Sequence, residues 1–163
     1  MQNMCSGKGP LQVKSEQEAL YLACEMERRA IRVYERGVMI SHDPAIKALL
    51  QKLYEDEKMH LSKFSKMGNC AIEITDLEQQ LLIKSYAAQV LFPGGLMQAQ
   101  REGAFSSLHS LLAFSRDSEE TAVRTYKEFA SSCHQAEARE MFLSIAQEEQ
   151  GHLISLEEQL KTI

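Results

Sequence analysis

Two short motifs, each present twice, carry the chemistry of this sequence. Glu57-x-x-His60 returns as Glu149-x-x-His152, and Glu27-x-x-Ala30-x-x-x-Tyr34 returns as Glu119-x-x-Ala122-x-x-x-Tyr126, all at one offset of 92 residues. Apolar companions keep the register: Leu20 with Leu112, Leu53 with Ile145, Leu61 with Leu153 and Phe64 with Leu156. A carboxylate and an imidazole three residues apart share one helix face and aim at one point. A lone His on an apolar face is more often a satisfied core residue. Five polar and small positions repeated in register on a matched apolar frame point instead to a built site.

Four predicted helices must position these residues. The first, about 15–40, opens with Ser15 and Glu18 in a capping-box pattern. The second runs from Asp43-Pro44 to about Met67, with Asp as cap, Pro at the first helical position and Gly68-Asn69 as the stop. The third covers about 106–131 and the fourth about 134–161. In each, apolar residues advance by three and four, as a core-facing stripe must. The third reads Leu108, Leu111/Leu112, Ser115, Glu119, Ala122/Val123, Tyr126. Near the middle of every stripe stands a Glu, joined in the second and fourth helices by a His.

Four carboxylates pointing inward would repel one another and be driven to protonate. Arg28, Arg29 and Arg124 lie off the stripes and are poor counter-ions. Two divalent cations supply the missing positive charge, and neutral imidazoles complete their coordination. Glu and His ligands without thiolates favour iron or manganese, and zinc is chemically compatible. Asp56 and Glu148 precede two of these glutamates and are also related by 92. Metal-bound His donates its other N–H to a carboxylate, so Asp56 is a candidate to hold His152 and Glu148 to hold His60, unless both are solvated helix acids. Tyr34 and Tyr126, two turns beyond Glu27 and Glu119, are candidates to hydrogen-bond a carboxylate on a neighbouring helix, or to pack as core residues. His42, His109 and His134 lie near helix ends or lack repeat partners and read as surface or boundary residues.

The rest of the chain sets limits. Its 163 residues suit one domain, with residues 1–14 as a flexible N-terminus. With 44% hydrophobic residues there is enough to bury a core, and 3 Pro and 8 Gly leave room for long helices. A net charge of −5 argues against a nucleic-acid partner, and no apolar run approaches a membrane span. Met1–Val13 lacks the apolar core of a signal peptide, which reads as cytoplasmic. Cys5, Cys24, Cys70 and Cys133 never form C-x-x-C, so zinc-ribbon and rubredoxin-type sites are excluded. The 68–105 segment is too long for a turn. It reads as a crossover between two helical hairpins, with a short helix at 77–91 whose Leu81, Leu82, Ile83 and Val90 cover one flank.

The doubled motif, over about Ser15 to Lys161, resembles the rubrerythrin branch of the ferritin-like superfamily. One Glu from each of two helices and Glu-x-x-His from each of the other two is the ligand set of ferritin-like di-metal bundles. The resemblance implies an all-α four-helix bundle, a di-iron centre that reacts with hydrogen peroxide or oxygen, and a homodimer. Glu57 and Glu149 would bridge the metals, with Glu27, Glu119, His60 and His152 as terminal ligands. The sequence departs from rubrerythrins proper in having no rubredoxin domain and in carrying Ala122 where they place a further Glu. A symmetric, ferritin-like site is left, whose electrons come from a separate donor protein or from incoming iron. The expected function is a di-iron oxidoreductase for peroxide or iron detoxification; the alternatives are iron binding or storage without turnover, and a purely structural metal site.

Overall fold

The computed structural model describes Val13, Ser15–Gly68 and Gly95–Ile163. All of the regular structure there is helical: α1 (Glu16–Ile40), α2 (Pro44–Met67), α3 (Leu96–Arg101), a 3-10 turn (Ala104–Ser106), α4 (Leu108–Ser132) and α5 (Ala136–Leu160). α1 packs chiefly on α2 and α4 chiefly on α5, so the long helices form two hairpins that meet along α1–α4 and α2–α5. No described helix is long and apolar enough to cross a membrane. The helix expected at 77–91, with Leu81, Leu82, Ile83 and Val90, lies outside the described residues, as do Cys5, Cys70 and nearly all of 1–14.

Local chemistry fixes the helix ends. Ser15 Oγ accepts the N–H of Glu18, and Asp43 Oδ1 accepts those of Ala45 and Ile46 ahead of Pro44. α4 begins two residues later than the stripe suggested, because Ser107 caps it by accepting from Ser110 N. α5 also starts late. Its cap residue Gln135 makes no side-chain cap bond, and Glu16 of α1 accepts the N–H groups of His134 and Gln135 instead. A carboxylate at a helix N-terminus also complements the macrodipole, so this contact ties the start of α1 to the start of α5. After α3, Gly103 takes φ 73°, a left-handed conformation that suits Gly, and turns the chain into the 3-10 segment.

The apolar side chains form two cores. One gathers Leu20, Leu22, Phe64, Tyr126, Phe129, Phe142 and Ile145; the other gathers Tyr34, Ile46, Leu50, Leu53, Leu111, Leu112 and Leu156. On each long helix the Glu and His residues of the repeat fall between the stretches that feed the two cores. The bundle is thus apolar at both ends and polar across its middle. The two cores differ in filling. Phe64, Tyr126, Phe129 and Phe142 form an aromatic cluster in the first, with Phe64 at 5.2 Å from both Tyr126 and Phe142 between ring centroids. Where the repeat would place a partner for Phe129, the second core has Gly37. A Cβ there would come within 3.1 Å of both Leu50 and Leu111, so the missing side chain lets α1 approach its neighbours closely.

Candidate metal centre

Each long helix brings its polar residues to the same level. Glu27 from α1, Glu57 and His60 from α2, Glu119 from α4, and Glu149 and His152 from α5 are all buried, none more than 4% exposed. They fall into two sets, Glu27–Glu57–His60–Glu149 and Glu57–Glu119–Glu149–His152. Within each set the four candidate ligand atoms lie within 4.8 Å of one another. Glu57 and Glu149 belong to both. The 92-residue offset exchanges the two sets, so the duplication in sequence becomes a pseudo-twofold in space.

The imidazoles share one orientation. His60 Nδ1 lies 3.2 Å from Glu149 Oε1 and 3.3 Å from Glu57 Oε2, while its Nε2 sits 2.9 Å from Glu148 Oε2. His152 Nδ1 lies 2.8 Å from Glu149 Oε2 and 3.2 Å from Glu57 Oε1, while its Nε2 sits 3.1 Å from Asp56 Oδ2. The rings stack at 5.7 Å between centroids. In both residues Nδ1 therefore faces the carboxylates and Nε2 is held by an acid on the opposite hairpin, the pairing that the offset suggested for Asp56 and Glu148. Those outer acids are themselves steadied by lysines: Lys63 Nζ is 3.0 Å from Glu148 and Lys52 Nζ 3.7 Å from Asp56.

The tyrosines also reach across. The Tyr34 hydroxyl donates to Glu119 and the Tyr126 hydroxyl to Glu27, linking α1 with α4 in both directions. Burial, then the neighbouring carboxylates, push both phenols well above their usual pKa, so they remain protonated donors. Burial, followed by the charges of Glu57 and Glu149, holds the Glu27 and Glu119 carboxyls well above the ordinary range. For Glu57 burial acts in the same sense, but its close contacts with Glu27, His152 and His60 outweigh it and bring its pKa down. His60 goes the other way: burial would lower its pKa, yet hydrogen bonds to Glu149 and Glu57 push it up to about 10. His152 is raised likewise, against burial, by Glu119, Glu149 and Glu57. Protons are one means of neutralising four buried acids. A metal ion competes for the same lone pairs.

The residues fit such an ion. Glu57 Oε1 is buried without a hydrogen-bond partner, although Glu57 is one of the two carboxylates common to both sets. Buried lone pairs without donors carry a desolvation cost that a cation removes. The donors are all oxygen and nitrogen, matching iron, manganese or zinc. The buried free cysteines, Cys24 and Cys133, belong to neither set. His42, His109 and His134 are exposed, as expected of surface residues. Glu25 is half-buried and paired with Arg28.

Beside the carboxylates lies a cavity of ≈ 40 Å³, walled in part by Glu27, Tyr34, Glu57, Ser115, Glu119 and Ala122. Sequence reasoning did not find it, nor the place of Ser115 in its wall. The available signal was a hydroxyl in an otherwise apolar stripe, at a position where the first repeat has Ala23. No protein-family model, curated protein or solved structure matches this chain.

Proposed function

We propose that this chain is a ferritin-like, rubrerythrin-like protein that holds two iron ions at the centre of its helical bundle and reacts them with hydrogen peroxide or oxygen. One observation carries the reading: two buried Glu/His sets share Glu57 and Glu149. In it, Glu57 and Glu149 serve both ions, Glu27 and His60 serve one, and Glu119 and His152 the other. When bound, such a pair supplies a Lewis-acidic, redox-active centre for a small oxidant.

The chain's own part is orientation and exclusion. Asp56 and Glu148 fix the tautomer and ring plane of the histidines by accepting from Nε2. Tyr34 and Tyr126 hold Glu119 and Glu27 in place. The two apolar cores above and below keep bulk water from the carboxylates. The cavity has room for a small molecule. Electrons come from a separate donor protein or from incoming iron, and the role is detoxification of peroxide or iron.

Elemental analysis of the purified chain tests the first half, with two metal ions per chain expected. Rapid mixing of the Fe(II)-loaded protein with peroxide tests the second. Oxidation faster than that of free iron supports turnover. A filled site that reacts no faster leaves iron binding or storage. A folded chain that takes up no iron, manganese or zinc overturns both.

A further inference from the structure

Ser115 stands on α4 one turn before Glu119, 1% exposed, and its Oγ has no hydrogen-bond partner. Serines inside helices commonly return the hydroxyl to the carbonyl four residues back. Ser118 does so to Phe114 at 3.1 Å, and Ser155 to Gly151 at 2.9 Å. Ser115 does not, and it lines the cavity beside the carboxylates. Of the other hydroxyls in that wall, Tyr34 donates to Glu119, Tyr126 to Glu27 and Ser118 to Phe114. Ser115 therefore carries the one uncommitted hydroxyl there among the described residues. The fold does not demand it, since the equivalent position in the first repeat is Ala23, fully buried in the aromatic-rich core.

We propose that Ser115 Oγ is the hydrogen-bond donor to a small oxygen ligand, of the size of water or peroxide, held in this cavity next to Glu119. A cavity of ≈ 40 Å³ takes roughly three water-sized molecules at ~10–15 Å³ each, which suits a peroxide. The hydroxyl also gives direction to a site that is otherwise duplicated, because only the α4 side offers such a donor. The proposal rests on the reading that the six Glu and His residues hold metal.

The test compares wild type with Ser115→Ala, with azide as the small probe that accepts hydrogen bonds. Both proteins are loaded with iron, oxidised in air, assayed for iron per chain and titrated with azide by visible absorption. Equal iron content is expected, with azide bound about tenfold more weakly by Ser115→Ala, the loss of one hydrogen bond. In the metal-free proteins Ser115→Ala is expected to melt no lower than wild type, since an unpaired buried hydroxyl adds nothing to the fold. Equal azide affinities in the two loaded proteins would overturn the proposal alone. A melting temperature several degrees lower for Ser115→Ala would overturn it too, by making the hydroxyl structural. Failure of wild type to bind metal would instead sink the proposed function, and this inference with it.

Discussion

Asp56 Oδ2 lies 3.1 Å from Nε2 of His152, reaching from α2 to α5, and Glu148 returns the contact to His60 at 2.9 Å. The hairpins are thereby joined at the level of the site by two carboxylate–imidazole pairs. Removing the outer acid leaves the ring free to turn. Asp56→Ala or Glu148→Ala is expected to weaken metal binding by about 10–100-fold while leaving the number of sites unchanged. Competition against a chelator measures it; unchanged affinity in both variants would reduce these acids to solvated helix residues.

Glu57 and Glu149 belong to both ligand sets, whereas Glu27 and Glu119 each belong to one. Glu57→Ala and Glu149→Ala are expected to abolish binding. Glu27→Ala and Glu119→Ala should weaken one of two ions and leave an intermediate stoichiometry. Metal content per chain after gel filtration separates the two classes.

Metal binding to this site must displace protons, because His60, pushed up to about 10, is protonated at neutral pH and its Nδ1 cannot then ligate. The sign follows. Affinity is expected to rise as pH increases towards that value and to fall on acidification. Titration of the metal-free protein with Zn2+ in weak buffer containing a pH indicator should register acid release. An uptake of protons would contradict the arrangement.

A ligand that binds only the folded state stabilises it, by about 4 kcal/mol at a thousandfold excess over Kd. For a domain of this size that corresponds to a melting temperature higher by roughly 10 °C. Calorimetry before and after chelator treatment, with excess metal restored at the end, reads the shift in both directions.

Tyr126→Phe deletes the hydroxyl that donates to Glu27, leaving a buried carboxylate short of a donor. A cost of about 1–3 kcal/mol in the metal-free protein is expected. Tyr34→Phe should cost a similar amount through Glu119. Urea denaturation of the two variants measures both. A loss confined to one of them would show that the pseudo-twofold of the sequence is not kept in energy.

Helix periodicity works within a few residues, which is why so much of this fold was legible in the chain itself. Ser15 and Asp43 announced two caps, the stripes announced four long helices, and the doubled Glu and His positions announced that six ionisable groups would meet in the interior. That burial of charge constrains the chemistry before any coordinate is known. Periodicity gives the face of a helix, however, and not what stands opposite it. That Nδ1 rather than Nε2 faces the carboxylates, that each tyrosine reaches the glutamate of the other repeat, and that Glu16 caps α5 are long-range facts decided by how the hairpins dock. The same holds for the cavity and for Ser115. A serine in an apolar stripe looks like a tolerated small residue until the neighbouring helices enclose a cavity beside its unpaired hydroxyl.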